Sequence, residues 1–113
     1  MSNILYIVVP CYNEQEVLPE TSKRLREKVQ TLRQSGKIDA DSRILFVNDG
    51  SKDATWEMIQ KLHEENSVFS GVNLSRNRGH QNALLAGLMT AKNYADAVIS
   101  MDADLQDDIN VID

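Results

Sequence analysis

The stretch ILYIVVP, residues 4–10, decides the fold class, because it is a short apolar run rich in β-branched side chains and closed by a proline. Apolar character without alternation predicts a strand that is buried on both faces of a sheet. A helical pattern follows, since Val17, Thr21, Leu25 and Val29 recur at the spacing of one helix face. The chain therefore begins with a buried strand and a helix that covers it.

The alternation of apolar runs and helical patterns continues to residue 101. Further strands are predicted at residues 43–47, 71–74 and 97–101. A second helix is predicted from its N-cap, Asp53. A third is predicted over residues 79–94, where Ala83, Gly87 and Ala91 form a stripe of small residues that permits close packing. The order β-α-β-α-β-α-β predicts an α/β fold with a mostly parallel sheet and helices on both faces.

Composition narrows the class of protein further. The 113 residues carry a net charge of -5 without a basic stripe, so we expect no nucleic-acid partner. The single cysteine, Cys11, cannot form an intramolecular disulfide. No stretch approaches the roughly 20 apolar residues of a membrane span, so we expect the chain itself to be soluble and cytoplasmic. Neither G-x-x-x-x-G-K-[ST] nor G-x-G-x-x-G occurs, which disfavours an ATPase or a dinucleotide-dependent dehydrogenase.

Polar clusters follow the predicted end of each strand. They are PCYNE at residues 10–14, NDGS at 48–51, SRNRG at 75–79 and DAD at 102–104. Ligands of open α/β sheets bind outside the carboxyl ends of the strands, which parallel pairing brings to one rim. The four clusters together therefore predict a ligand site at that rim.

The cluster after the last strand predicts a metal site. If extended geometry continues, residues two apart point the same way, so the carboxylates of Asp102 and Asp104 face one point and Ala103 faces elsewhere. Two converging oxygen ligands suit Mg²⁺ or Mn²⁺ held jointly with substrate phosphates. Gln106 has the same facing and either adds a neutral oxygen ligand or makes simple turn hydrogen bonds. A helix cap, a turn or a solvated acidic tail are the structural alternatives.

The clusters after the first two strands carry candidate nucleoside contacts. Asp49 is placed to accept hydrogen bonds from a base or ribose, while Gly50 would let a ligand approach the backbone. An ordinary Asp-Gly turn is the alternative. Tyr12 and Glu14 either flank a nucleoside, or serve respectively in packing and in favouring a helix N-terminus.

The remaining chemistry-bearing residues are weaker candidates. Arg76, Arg78 and His80 precede or open the third helix, where cations oppose the helix dipole, so they indicate an anion that both attract, or else solvated surface. Cys11 is interpreted as a small buried residue and not a nucleophile, because no histidine lies near it in sequence. His63, on an amphipathic helix, is interpreted as structural.

Four segments resemble family 2 glycosyltransferases in order and in spacing, over essentially the whole chain. They are IVVPCYNEQEVL (7–18), ILFVNDGSKDAT (44–55), LSRNRGHQNALLAGL (74–88) and ISMDADLQDD (99–108). The DADLQ form is similar to that of polyprenyl-phosphate sugar transferases, such as dolichyl-phosphate mannose synthases and the bacterial enzymes that glucosylate undecaprenyl (bactoprenol) phosphate. Two departures are Asn48, where the family often has a second aspartate, and Asp107-Asp108, which replaces a frequent proline pair.

The resemblance implies a Rossmann-like, A-type glycosyltransferase fold, with residues 1–113 forming its nucleotide-sugar-binding part. The implied donor-binding residues are Pro10, Tyr12, Glu14, Asp49, Arg76, Asp102 and Ala103. The implied ligands of Mg²⁺ or Mn²⁺ are Asp102, Asp104 and Gln106, and Asp104 is the residue with a catalytic role.

The implied reaction is inverting, metal-dependent transfer of a sugar from a nucleotide-sugar to a polyprenyl phosphate. The resemblance favours UDP-glucose over GDP-mannose as the donor. Transfer to a polysaccharide or another hydroxyl acceptor, and a non-catalytic nucleotide-binding module, are the alternatives. We expect the chain to end before the acceptor-binding half and therefore not to turn over. For the longer protein we expect a place at the cytoplasmic face of the membrane, and self-association through uncovered sheet surface stays open.

Overall fold

The computed structural model describes residues 3–77 and 79–103, without the side chain of His80. In that part of the chain, strands and helices alternate strictly. They are β1 (Leu5–Cys11), α1 (Leu18–Gln34), β2 (Arg43–Asp49), α2 (Thr55–Glu65), β3 (Phe69–Leu74), α3 (His80–Ala91) and β4 (Ala97–Ser100). The predicted order of elements is confirmed.

The strands form one parallel sheet in the order β3-β2-β1-β4. The interior strand β1 pairs with β2 on one side and β4 on the other, and its Ile7, Val8 and Val9 are fully buried. This confirms the buried strand predicted from residues 4–10. The chain moves outward from β1 to β3 and then crosses back to β4, so the winding reverses between β1 and β4. Such a reversal opens a crevice at the carboxyl ends of the two strands.

The two faces of the sheet are covered differently. Alternate residues of β1, such as Ile7 and Val9, pack in one cluster with Leu25 of α1 and Ile59 of α2. Val8 points to the opposite face. There it packs in a second cluster with Leu45 and Val47 of β2 and with Ala83 and Ala91 of α3. Helices therefore lie on both faces, as predicted.

Helix α3 lies close to the sheet because its inner face is built from small residues. A Cβ added at Gly87 would lie 2.5 Å from Cγ1 of Val8 and 2.8 Å from Cγ2 of Val47, well inside contact distance. Ala83 and Ala91 on the same face are fully buried. The packing role predicted for this stripe is confirmed.

Some boundaries differ from those predicted. Strand β2 extends two residues further, because Asn48 and Asp49 still pair with β3 before the chain turns. Helix α3 ends at Ala91 and not at residue 94; the N–H groups of Tyr94 and Ala95 then both bond to the Ala91 carbonyl at 2.9 Å. Helix α2 begins at Thr55 with Ala54 at the N-cap position, although the Asp53 carboxylate still accepts the Thr55 N–H at 3.0 Å.

Candidate functional site

An open cleft of about 280 Å³ lies at the carboxyl ends of the strands, where the winding reverses. Its walls come from the ends of β1, β2 and β4 and from the start of α3. The described residues that line it are Pro10, Cys11, Tyr12, Glu14, Asp49, Asn77, Ala83, Asp102 and Ala103. Six of the seven residues predicted to bind a donor thus lie around one cavity.

The wall after β1 combines an aromatic ring with a carboxylate. Pro10 is buried at the end of the strand, whereas the ring of Tyr12 is 41% exposed beside the cleft. Glu14 is half-buried, and its backbone N–H donates to the hydroxyl of Thr55 at 2.8 Å. The β1 wall is therefore held by the chain that follows β2.

The wall after β2 is supplied by Asp49, whose side chain is only 3% exposed at the end of the strand. Its neighbour Asn48 points to the other face. The Asn48 amide donates to Oδ1 of Asn73 at 2.8 Å, and its own oxygen accepts the N–H of Ser51 at 3.3 Å. The asparagine at position 48 therefore ties β2 to β3 and to the turn. An aspartate in its ionised form has no N–H to donate to Asn73.

The structure shows a tertiary contact at Gly50 that was not predicted. Its φ is +69°, and a Cβ there would lie 2.3 Å from the backbone N of Asn77 and 2.5 Å from the carbonyl carbon of Arg76. The backbone that fills the space is the protein's own loop between β3 and α3. This tertiary contact was not predicted, because the sequence does not show which segment approaches the glycine, and the approach of a ligand to Gly50 stays a prediction.

The loop after β3 contributes Asn77 to the described lining of the cleft, and the predicted contact of Arg76 with the donor stays a prediction. Arg76 is exposed and lies outside the described lining, while its backbone packs against Gly50. The oxygen of the Asn77 side chain accepts the N–H of Gly79 at 2.9 Å at the start of α3. Arg78 and the side chain of His80 lie outside the described residues, so their predicted role is not tested.

The wall after β4 carries the first aspartate of the predicted metal site. Pairing with β1 continues past the strand, since the Met101 N–H donates to the Val8 carbonyl at 3.0 Å. Met101 and Ala103 are buried in the core on the α1 face, and the half-buried Asp102 lines the cleft together with part of Ala103. The shared facing predicted for Asp102 and Asp104 is therefore not tested by the described residues.

A hydrogen bond from helix α1 holds the turn after β4. The hydroxyl of Thr21, which is 2% exposed, donates to the carbonyl of Ala103. Asp104 and Gln106, with Asp107 and Asp108, lie outside the described residues. The convergence of Asp104 on Asp102 therefore stays a prediction.

The side chains at the described cleft are suited to a cation with few protein ligands. Glu14, Asp49 and Asp102 offer the carboxylate oxygens that Mg²⁺ and Mn²⁺ prefer. In the described part of the chain, no three acidic, histidine or cysteine side chains are close enough to hold an ion by themselves. One or two carboxylates with the remaining positions left to substrate phosphates is the arrangement common for Mg²⁺. The residues present therefore fit a divalent ion shared with a phosphate-bearing ligand.

Cys11 lies beneath the cleft as a packing residue. Its side chain is 1% exposed, and burial, reinforced by the negative charge of Glu14, raises the pKa of the thiol far above its ordinary value. A thiol that stays protonated is a poor nucleophile. His63, interpreted as structural, has Nδ1 2.6 Å from the Phe69 carbonyl and so connects α2 to β3. Cys11 is thus buried, as interpreted from the sequence, and the His63 contact agrees with the structural role interpreted for that residue.

A set of hydrogen bonds joins the loop after β1 to the loop after β2, and we call it the loop clasp. Its members are Asn13, Glu14 and Gln15 on one side and Ser51, Lys52, Asp53, Ala54 and Thr55 on the other. The loop clasp was not predicted from the sequence. Asn, Ser, Asp and Thr are the residues that most often bond to nearby backbone, but sequence does not show that their partners lie about 40 positions away.

Comparison with known proteins agrees with this architecture. A family model described as Glycosyl transferase family 2 matches residues 6–112. The chain therefore belongs to glycosyl transferase family 2. It is 57% identical over 109 residues to a protein of Bacillus subtilis (strain 168) named "Uncharacterized glycosyltransferase YkoT", covering 96% of this chain and 32% of that protein. It is 42% identical over 106 residues to the bactoprenol glucosyl transferase of Shigella phage SfV, covering 94% of this chain and 32% of that protein. The chain thus spans about a third of the length of these relatives.

A solved structure shows the same fold. The mannosyltransferase PcManGT from Pyrobaculum calidifontis, in complex with GDP-Man and Mn²⁺, superposes with a TM-score of 0.72 at 21% identity. The match covers 92% of this chain and 28% of that protein. The predicted A-type glycosyltransferase fold is confirmed. Among the described residues, no helix is both long and apolar enough to cross a membrane.

Proposed function

We propose that this chain binds the nucleotide-sugar donor of a glycosyltransferase that transfers a sugar to a polyprenyl phosphate. The observation that carries the proposal is the cleft where the winding reverses, which gathers Tyr12 after β1, Asp49 at the end of β2 and Asp102 after β4. Residues from three strand ends meet there in a protein that belongs to a glycosyltransferase family.

In this proposal the nucleoside lies against the β1 and β2 walls. The exposed ring of Tyr12 offers a surface for the base, and the buried carboxylate of Asp49 accepts hydrogen bonds from the base or ribose. Glu14 closes the same wall from the β1 loop. The sugar diphosphate then extends towards Asp102 at the end of β4.

The charge of the cleft supports the need for a metal ion. Glu14, Asp49 and Asp102 make this cavity acidic, and a diphosphate brought into it would be repelled by the carboxylates. We propose that Asp102, together with Asp104 and Gln106, holds Mg²⁺ or Mn²⁺ between the protein and the diphosphate. When bound, the ion neutralises charge that develops on the departing nucleoside diphosphate.

We propose polyprenyl phosphate as the acceptor because of the names of related proteins. Several proteins about 40% identical to this chain, from Shigella phages and Shigella flexneri, are named bactoprenol glucosyl transferases. A phosphate oxygen of the lipid would attack the anomeric carbon with inversion, as the bond from that carbon to the diphosphate breaks. Because a phosphate acceptor is already ionised at neutral pH, this reaction needs no strong general base. UDP-glucose is the favoured donor, with GDP-mannose as the alternative.

Calorimetric titration of the chain with UDP, GDP and their sugar conjugates tests the donor site. With Mn²⁺ present we expect saturable binding, and without it an affinity lower by about 100-fold, since the acidic cleft then repels the diphosphate. Tighter binding of UDP than of GDP would support UDP-glucose as the donor. Binding that is equal with and without Mn²⁺, or no binding at all, would contradict the proposal.

Strand β4 offers a matched pair of variants, because Asp96 precedes the strand and Asp102 follows it. Asp102→Asn removes a charge at the cleft, and we expect Mn²⁺-dependent affinity to fall by about 100-fold. Asp96→Asn removes the same charge at the opposite end, where the carboxylate accepts the Ile4 N–H at 2.9 Å and an amide oxygen can replace it. Its nucleotide affinity should equal that of the wild type. Equal losses in both variants would mean that net charge, and not the site, controls binding.

A further inference from the structure

Asn13 has an unusual backbone conformation between two residues of the cleft. Its φ is 53°, in the left-handed region, and within the described residues it is the one non-glycine residue with a positive φ. Few residue types tolerate this region, and asparagine is among those that do. Its neighbours Tyr12 and Glu14 both line the cleft. The conformation therefore determines how the chain turns between two proposed donor contacts.

The left-handed turn is held by the loop after β2. The backbone N–H of Asn13 donates to the Ser51 hydroxyl at 2.9 Å, and the Asn13 side-chain oxygen accepts the N–H of Lys52 at 2.8 Å. Ser51 and Lys52 follow Asp49 and Gly50 directly. One residue thus joins the β1 wall of the cleft to the β2 wall.

The rest of the loop clasp repeats this connection. The N–H of Gln15 donates to the Asp53 carboxylate at 3.3 Å, and the oxygen of the Gln15 side chain accepts the N–H of Ala54 at 2.9 Å. The Glu14 N–H donates to Thr55, whose hydroxyl in turn donates to Asp53 at 2.5 Å. The two loops are therefore one hydrogen-bonded unit, and Asn13 lies at its cleft end.

We propose that Asn13 is a positioning residue for the donor site, where its left-handed backbone and its side-chain oxygen fix the direction in which Tyr12 and Glu14 leave β1. This inference rests on the proposed binding of a nucleotide in the cleft. Asn13 itself does not line the described cleft and acts through its two neighbours. If the turn were free to relax, only a fraction of molecules would present both walls correctly, and the apparent affinity would fall by that fraction.

Three substitutions separate the two contributions of Asn13. Asn13→Asp keeps both a side-chain acceptor and tolerance of the left-handed region, so its affinity for UDP or GDP with Mn²⁺ should stay within about threefold of wild type. Asn13→Gly keeps the backbone conformation but loses the acceptor, and we expect about fivefold weaker binding. Asn13→Ala loses both, and we expect a loss of about 20-fold.

Affinity is measured by calorimetry well below each variant's midpoint of thermal unfolding, so that the protein is folded throughout. A role in folding alone would lower that midpoint and leave the affinity of folded protein unchanged. Gly36→Ala, at the opposite end of the sheet, is the control that loses stability without loss of affinity. If Asn13→Ala does not fold, Asn13→Gly decides the question.

The outcomes separate this inference from the proposed function. Graded loss of affinity in the order Asp, Gly, Ala supports the positioning role. If the wild type binds nucleotide and the Gly and Ala variants bind it equally well, the inference is overturned but the proposed donor site is not. If wild type binds neither UDP nor GDP in the presence of Mn²⁺, both are overturned.

Discussion

The two ends of the parallel sheet use similar residues for different purposes. At the amino ends of the strands, polar groups bond to backbone: the Ser42 hydroxyl accepts the Leu5 N–H at 2.9 Å, and the Asn3 carbonyl accepts the Asp39 N–H at 2.9 Å. At the carboxyl ends, Asp49 and Asp102 are arranged around an open cleft. Polar residues at strand ends therefore indicate a ligand site where side chains from several strands converge on one cavity, and not simply where a strand ends.

Left-handed glycines show the same contrast. Gly36, at the end of α1, has a φ of +78° and completes a Schellman motif in which Lys37 N–H bonds to the Leu32 carbonyl at 3.0 Å. A Cβ there would meet nothing within 4 Å. Gly50, in the turn after β2, has a similar φ but lies directly against the backbone of Asn77. Gly36 is required only by the left-handed backbone at the end of α1, whereas Gly50 is required both by its φ and by the close approach of the loop after β3.

Gly50→Ala is expected to have the largest effect on stability. The new methyl group meets backbone atoms of Arg76 and Asn77 that cannot move as a flexible side chain does, and the left-handed φ adds strain. We expect the free energy of unfolding to fall by about 4 kcal/mol, as measured by urea denaturation.

The matched control is Gly36→Ala. Its left-handed φ strains the backbone in the same way, but the new methyl group meets no atom within 4 Å, so we expect the free energy of unfolding to fall by only about 1 kcal/mol. Its affinity for nucleotide should not change, because it lies at the amino ends of the strands. Equal losses from the two substitutions would show that the loop after β3 does not pack on Gly50 as described.

A second test compares buried hydroxyl groups at the two ends of the sheet. Thr21→Val leaves the Ala103 carbonyl without its donor, so we expect a loss of about 2 kcal/mol and weaker Mn²⁺-dependent binding. Thr21→Ser keeps the hydroxyl and should retain most of the affinity. Ser42→Ala removes the acceptor of the Leu5 N–H at the other end and should cost stability alone. If folded Thr21→Val keeps the wild-type affinity, the hydrogen bond from α1 does not support nucleotide binding in the cleft.

The smallest expected effect is a dependence of stability on pH through Asp53. Partial burial acts to raise the pKa of this carboxyl, but hydrogen bonds from the Thr55 hydroxyl and N–H and from the Gln15 N–H outweigh it, so the pKa is lowered. A lowered pKa stabilises the folded protein above the unfolded value of about 3.9, and this stability is lost as pH falls through the folded pKa.

Urea denaturation of the wild type and of Asp53→Asn measures this contribution. We expect wild type to be more stable by about 0.5 kcal/mol at neutral pH, and the difference to shrink on acidification. Because the other carboxylates are common to both proteins, their effects cancel in the comparison. A difference that stays constant down to about pH 3 would show that the charge of Asp53 does not support the loop clasp.

Much of this arrangement was predictable from local pattern. The continuous apolar run at residues 4–10 predicts the interior strand, and the small residues around Gly87 predict close packing of α3. Once a parallel sheet is inferred, the rule that ligands collect at its carboxyl ends places Tyr12, Asp49 and Asp102 together. These inferences need only the spacing of apolar residues and the direction of the strands, and both follow from residues that are close together in sequence.

The features that were missed depend on contacts between segments far apart in sequence. The polar residues Asn48 and Asp49 looked like a turn, but β3 offers them strand partners and β2 continues. The contact that requires Gly50 comes from a loop more than 25 positions later. The loop clasp has the same character, because Asn13 bonds to residues 38 and 39 positions away. No local pattern in the sequence specifies such partners.

The central position of β1 has a consequence for how the protein folds. Its partner β4 comes from the far end of the described chain, and the Ile4–Asp96 hydrogen bond beside it spans 92 positions. Contacts of such high sequence separation form slowly, since a long loop must close before they are gained. Asp102 joins Tyr12 and Asp49 only after that closure. We therefore expect the cleft to be among the last parts of the molecule to assemble, after the local strand–helix–strand units have formed.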